Sequence, residues 1–317
     1  MAERSKRICL YDENKAKNIN PETLKLFQKY QIDMSIRDLS TKTIEQYNSD
    51  LMQWFIYMYN NQFNLSVLEA TEDDLTEYYY WRKQQGNNVN RQKRIMSSIS
   101  AFYKFLRKKR LITESPVEFI DRPKQGQAIV KQTFLTVDQV NLLRQKLTEY
   151  GDIQLKTYIL FGLSTMARVN AMAHLRWEQI DFNERMCTDV LEKEGKIVDL
   201  YFSEEVSSLL KELKQYRQDN NIEDYGWVFA SSYVTKDKCI SNGTLNEWCK
   251  LAGGMIGIPS LHNHDLRHSG SNLLKEMGME IQDIAELLHH ESTETTVRHY
   301  LTVNKQKVKE NKDKFSF

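Results

Sequence analysis

The sequence predicts a mainly α chain, α+β overall, in two domains, and three observations carry that prediction. Successive amphipathic helical patterns fill the first 118 residues with no convincing strand. A basic, Pro/Gly-punctuated stretch, Arg122-Pro123-Lys124-Gln125-Gly126, then breaks the periodicity. Beyond it helical patterns resume around a single pair of β-prone runs. The expected layout is an N-terminal extension with a short helix at 1–35, a helical domain at 36–118 and a basic linker at 119–132. A larger, mostly helical domain with a small antiparallel sheet and a C-terminal tail fills 133–317. A chain of 317 residues is long enough for two separate cores.

Composition excludes several classes. The hydrophobic share of 40% and charged share of 27% are ordinary for a globular protein, and a net charge of +1 leaves room for a basic face balanced by acidic surface elsewhere. Cys9, Cys187, Cys239 and Cys249 form no CxxC pair and no zinc-spaced Cys/His cluster, which fits reduced thiols and a cytoplasmic setting. No apolar run reaches membrane-span length, and the charged first residues do not read as a signal peptide. No membrane partner is expected.

Taken in order, residues 1–20 are polar and expected to be loosely ordered. Pro21 suits the first turn of a helix whose apolar face is Leu24, Leu26, Phe27 and Tyr30. Ser40 or Thr41 caps a second, with Ile44, Tyr47, Leu51, Trp54, Phe55 and Met58 at three- and four-residue intervals. Thr71 opens a third, carrying Leu75, Tyr78, Tyr79 and Trp81. The fourth runs from about Asn90 through Ile95, Ile99, Phe102, Tyr103 and Leu106, and Pro116 closes the region. Aromatic stripes at this spacing read as core.

The fourth helix is also a charge concentration. Arg91, Lys93, Arg94, Lys104, Arg107, Lys108, Lys109 and Arg110, continued by Arg122 and Lys124, face only three acidic residues. Most charge runs are solvated surface, but one on a helix end that runs into a basic linker is a footprint for a phosphate backbone. Past the linker, Thr136 and Asp138 offer caps for a helix with Val140, Leu142, Leu143 and Leu147, and Leu155–Ser164 forms an apolar helix that delivers Arg168. Thr188–Leu191 and Lys196–Phe202, separated by Glu192-Lys193-Glu194-Gly195, form a hairpin signal with glycine in the turn. Ser203–Gln215 is an amphipathic helix, Trp227-Val228-Phe229 a short strand or buried turn, and Thr244–Ala252 a helix.

The last chemistry-bearing stretch is His264–Tyr300. His264 and Arg267, three apart on a helix ending at Gly278, share a face. A second short helix (Ile281, Ile284, Leu287, Leu288) leads to His289 and His290, and Ser292 or Thr293 caps a third that carries Tyr300. A guanidinium, imidazoles and a phenol on packed short helices suit phosphate chemistry. Arginine grips a phosphate through a bidentate fork, histidine exchanges protons near neutral pH, and tyrosine can act as a nucleophile. No carboxylate pair has the look of a two-metal nuclease, and no metal or other cofactor is expected.

These segments resemble the tyrosine recombinases, the phage integrase family. Their closing pattern of His-x-x-Arg, Leu-Gly-His, Thr-Thr and tyrosine appears here as His264-Asp265-Leu266-Arg267, Leu288-His289-His290, Thr295-Thr296 and Tyr300, with His289 in place of the glycine. Thr165-Met166-Ala167-Arg168 through Leu175-Arg176-Trp177 and Ile180-Asp181 resembles their first arginine box. There Met166 replaces a glycine and Ala171 replaces the acid that helps to hold the arginine. Lys193 and Lys196 reproduce a Lys-x-x-Lys hairpin pattern, and Ser40–Tyr47 the opening of the core-binding domain.

The resemblance covers about residues 36–302. It implies the tyrosine recombinase fold, a helical SAM-like core-binding domain followed by the catalytic domain, the two clamping DNA between basic faces. It also implies a catalytic set of Arg168, Lys193, His264, Arg267, His290 and the nucleophile Tyr300, with Lys196 the fallback for Lys193. Double-stranded DNA with inverted-repeat core sites would be the partner, bound by a dimer on a site and a tetramer in synapsis. One class of core site is expected, since no separate arm-binding domain is visible before Thr41. The lysine-rich tail 301–317, ending in Phe315 and Phe317, either docks on a neighbouring protomer or frays. Two other readings stand beside this one: a phage-derived repressor or accessory factor that binds without strand exchange, and a relaxing enzyme of the type IB topoisomerase kind.

Overall fold

The computed structural model describes residues 6, 8–124, 134–192, 195–290 and 293–294. The chain divides into two compact units, Met1–Lys131 and Gln132–Phe317. Lys193 and Tyr300, and with them the Thr295-Thr296 pair and the tail, lie outside the described residues.

The first unit consists of α1 (Glu13–Lys17), α2 (Pro21–Ile36), α3 (Thr41–Asn61), α4 (Glu72–Gln84) and α5 (Val89–Lys108). Each start reflects a side-chain oxygen that takes an orphan N–H. Asn20 accepts from Glu22 and Thr23, Ser40 from Thr43, and Asn88 from Arg91, while Thr71 and Asp74 form a reciprocal capping box. The aromatic stripes are core, as their spacing requires. Tyr30, Phe55 and Phe102 meet with ring centroids 5.3 and 5.8 Å apart, and Trp54 lies 5.7 Å from Tyr103. Each such burial stabilises by roughly 1.5–3 kcal/mol.

One expectation is corrected here. The described part of the leader is more ordered than its polarity suggests. Asp12 caps α1, Ile19 is buried, and the Lys6 backbone N–H donates to Gly86 O at 3.1 Å. Nor is α2 short: its 16 residues bury Leu26, Phe27, Tyr30 and Met34.

The second unit comprises α6 (Val137–Tyr150), α7 (Ile153–Thr165), α8 (Val169–Ala173), strands β1 (Ile180–Asp181), β2 (Met186–Leu191) and β3 (Ile197–Tyr201), then α9 (Glu204–Asp219), α10 (Asn242–Met255), α11 (Asn263–Glu276) and α12 (Ile281–Leu287). The apolar helix α7 is central, packed against α6, α9 and α11. It crosses α11 closely because Gly270 has no side chain: a Cβ there would stand 2.3 Å from Leu163 O and 2.7 Å from Met166 Cγ.

Among the described residues the sheet has three antiparallel strands in the order β1-β2-β3, where the hairpin signal implies two. A two-residue strand such as β1 is too short to show a period. The register slips between Cys187 and Val190, with Asp189 at φ 55°. This bulge lets Cys187 and Val190, three apart, both face the core. It also reverses the parity of the residues beyond it, so Glu192, two past Val190, points inward as well.

Candidate active site

Two helix ends and the hairpin build the site. Helix α7 ends at Met166, whose φ of 53° lies in the left-handed region, and Arg168 is the residue before α8. Helix α12 ends at Leu288, and His289 takes the same φ of 53°. These two left-handed positions are the ones where the family pattern carries glycine. The departures at Met166 and His289 therefore keep the turn and accept its strain, about 1–2 kcal/mol each. Met166 offsets its share by burial against Ile284 and Leu288.

Arg267 joins the two ends. Its Nη1 donates to Met166 O at 2.7 Å and its Nη2 to Leu288 O at 2.5 Å, and Nη2 lies 3.3 Å from His290 Nε2. Terminal helix carbonyls lack intrahelical partners and carry the negative end of the helix dipole. A guanidinium between two of them is held in place and stays ionised. Its side chain is only 1% exposed.

The hairpin contributes a residue that the sequence does not single out. Glu192, its side chain 1% exposed, accepts from Arg168 Nη1. Its Oε1 lies 4.0 Å from Arg267 Nη1, and its Oε2 lies 3.8 Å from His289 Nδ1. Arg168 itself keeps 29% exposure. His289 Nε2 sits 3.0 Å from Asp199 O, so that nitrogen donates, and Lys196 Nζ donates to His289 O at 3.3 Å. The hairpin and the end of α12 are thus tied together.

His264 stands on the first turn of α11, reaching solvent at one edge while neighbouring groups crowd the rest of its ring, which lies 5.2 Å from that of His268. Lost hydration lowers its pKa, and the positive charges of Arg267, His262 and Arg168 lower it further. It is neutral at pH 7 and able to accept a proton. His289 is likewise lowered, by burial first, with Arg267, Lys196 and Arg168 adding to it and the Asp199 carbonyl opposing. Four of the six expected catalytic residues, Arg168, His264, Arg267 and His290, therefore gather in one place.

The basic set in the first unit separates into two kinds. Arg91 Nη2 is bound to Asp50 Oδ1 at 2.5 Å, and Arg94 Nε stands 3.6 Å from Asp50 Oδ2. Lys104, Arg107, Lys108, Lys109 and Arg110 are exposed, as are Arg122 and Lys124, and Lys93 is half-buried. Among the described residues Arg107 holds an exposed pair with Glu118, 3.2 Å. Among the described residues no group of three or more His, Cys, Asp or Glu side chains could hold a metal ion, and no helix is long and apolar enough to cross a membrane.

Known proteins match this arrangement over nearly its whole length. The tyrosine recombinase XerC of Leptospira interrogans is 27% identical over 307 residues, covering 95% of this chain and 94% of that protein. A tyrosine recombinase of Pseudothermotoga lettingae is 25% identical over 281 residues, 86% of this chain and 92% of the relative. In fold, the chain is similar to the XerH site-specific recombinase bound to a palindromic difH substrate, with a TM-score of 0.72 at 18% identity over 95% of this chain and 88% of that one. A lambda integrase dimer bound to a COC′ core site gives 0.65 at 18% identity, over 92% and 81%. Residues 27–110 match the phage integrase N-terminal SAM-like domain and residues 133–307 the phage integrase family. With the two arginines, the His-x-x-Arg helix and the small sheet in place, the chain belongs to the phage integrase family of tyrosine recombinases.

Proposed function

We propose that this chain is a site-specific DNA recombinase, an integrase that cuts and rejoins duplex DNA through a 3′-phosphotyrosine. The observation that carries the reading is the convergence of Arg168, Arg267 and His290 on one spot beside His264. Tyr300 Oη attacks the scissile phosphorus and passes its proton to His264. The bond from phosphorus to the 5′-oxygen breaks, and that oxygen leaves with a proton from Lys193. Negative charge gathers on the non-bridging oxygens in the transition state, where fixed guanidiniums in a desolvated site act far more strongly than in water. Arg168 and Arg267 hold those oxygens, and His290 donates to one of them. The covalent link conserves the phosphodiester energy, so the reaction as written needs no cofactor. Tyr300 and Lys193 take their roles from the family motif.

Residues 36–118 serve as the core-binding domain and the exposed run Lys104–Arg110, with Arg122 and Lys124, as its phosphate grip. The partners are inverted-repeat core sites, a second copy on each site and a tetramer at synapsis, in the cytoplasm. The binding-only alternative rests on the departures at Met166, Ala171 and His289. It is not favoured, because the left-handed turns persist and a carboxylate still reaches Arg168.

The test is covalent trapping on a nicked suicide duplex carrying a core site selected from random DNA by the wild-type protein. Wild type should form the adduct, and Tyr300→Phe should form none while binding the same duplex with nearly unchanged affinity. Intact binding without any wild-type adduct would return the binding-only reading, and an adduct that survives Tyr300→Phe would reassign the nucleophile.

A further inference from the structure

We propose that Glu192 is the positioning carboxylate of this active site, taking from the hairpin the place that Ala171 leaves empty on α8. The inference rests on the recombinase reading above and adds a residue that the family pattern does not supply. The box around Arg168 offers no acid three residues on, and Ala171 is buried among apolar neighbours. The guanidinium is held nonetheless, by a carboxylate from a different element. That carboxylate is buried, bonded to Arg168 and within 4.0 Å of Arg267. Its backbone N–H is fixed in the ladder by Lys196 O at 2.8 Å. The register slip between Cys187 and Val190 is what turns it inward.

Charge explains why such a group is needed. Two guanidiniums that converge on a site repel one another when no phosphate is present, and a shared anion offsets that repulsion while fixing the distance between them. Of the carboxylate's approaches to Arg168, Arg267 and His289, only the first is closed. Oε1 has no hydrogen-bond partner among the described residues, and His289 Nδ1 remains 3.8 Å away. Glu192 therefore orients Arg168 without saturating it, and Arg168 keeps the exposure through which a phosphate reaches it.

A rival role has the carboxylate standing in for the phosphate and leaving when DNA binds. Burial and the ladder bond argue against departure, and the two roles predict opposite signs. Single-turnover cleavage is measured on the selected suicide duplex with full-length wild type, Glu192→Gln and Glu192→Asp, alongside DNA affinity. Glu192→Gln should slow cleavage by about 10- to 100-fold, the usual scale for losing a group that orients a site residue. Its DNA affinity should be unchanged or tighter. Glu192→Asp, which keeps the charge, should recover part of the rate.

The decisive arm places a neutral methylphosphonate at the scissile position. If Glu192 acts through the arginines' grip on phosphate charge, the gap between wild type and Glu192→Gln should shrink there. A gap of equal size on both substrates would mean a merely structural role, and faster cleavage by Glu192→Gln would establish the stand-in role. Either result overturns the proposal, as would Glu192→Asp being as slow as Glu192→Gln. A wild type that cleaves normally beside an unimpaired Glu192→Gln removes this inference alone. A wild type that forms no adduct removes the recombinase reading itself.

Discussion

Asp50 in the first unit and Glu192 in the second are both buried carboxylates that serve a pair of arginines, and they are finished differently. Asp50, 0% exposed, has both oxygens satisfied: Oδ1 accepts from Arg91 at 2.5 Å and Oδ2 from Ser98 Oγ at 2.9 Å, with Arg94 3.6 Å away. Glu192 has one closed contact and two that stop at 3.8 and 4.0 Å. A fully satisfied network fixes a fold, since a buried charge is tolerated only when its lone pairs are used. An incompletely satisfied one among cations holds charge ready for an anion that arrives later. Residue type does not separate the two roles; the open hydrogen-bonding positions do.

The comparison breaks most visibly at Asp50. Asp50→Ala leaves Arg91 partly buried without its partner, and removing one member of such a pair costs about 3–5 kcal/mol. Chemical unfolding should show that loss. Cleavage per folded molecule should stay near wild type, opposite to the pattern expected for Glu192→Gln. A slowed chemical step in folded Asp50→Ala would erase the distinction.

The arginines on each side sharpen it further. Replacing Arg107, Lys108, Lys109 and Arg110 with alanine should flatten the log–log salt dependence of DNA binding by up to about 3.6, at roughly 0.9 for each phosphate no longer neutralised. It should weaken binding across sequences and leave unfolding nearly unchanged, because these side chains are exposed. Arg91→Ala should do the reverse, destabilising the unit with little change in slope, since its guanidinium is already engaged by Asp50. An unchanged slope in the fourfold variant would make that run ordinary solvated surface.

How much of the molecule is legible in its sequence divides along the same line. Helix starts are visible because Ser40, Thr71 and Thr136 announce their caps, and helix faces because apolar residues recur at helical spacing. Arg168, His264, Arg267 and His290 are visible as a motif. Asp50 and Glu192 are not, because a lone acid in a helix or beside a turn reads as solvated. Arg91 reads as a phosphate contact for the same reason, its acidic partner being hidden in another helix. The burial of Glu192 depends on a one-residue slip in β2 that no alternation reveals, since without it the parity would send this side chain outward. Two signals could have pointed to it: an acid adjoining Lys193 in the hairpin, and a missing acid at Ala171. Each departure looks like a loss on its own, and only their proximity in space shows one offsetting the other.

The smallest effect is expected at His289, whose Nδ1 stands 3.8 Å from Glu192. His289→Gly removes a side chain from a left-handed position, which relieves about 1–2 kcal/mol of strain. It also frees the unfolded chain, at a cost of roughly 0.5–1 kcal/mol, and removes the bond to Asp199 O at 3.0 Å, worth about 1 kcal/mol. These nearly cancel, so stability at pH 8 should move by no more than about 1 kcal/mol. The bond from Lys196 to the His289 carbonyl involves backbone and survives. What distinguishes the variant is pH. Burial and the neighbouring cations hold the imidazole below its ordinary value near ~6.5 in the folded state, so the unfolded chain takes up its proton first. Wild type should therefore lose stability as pH falls from about 6.5 toward the lowered value, and His289→Gly should lose less over that window. Urea unfolding of both proteins at pH 8 and pH 5 measures the difference. Parallel losses in the two would mean that burial and the neighbouring cations do not hold the His289 imidazole down in the folded state.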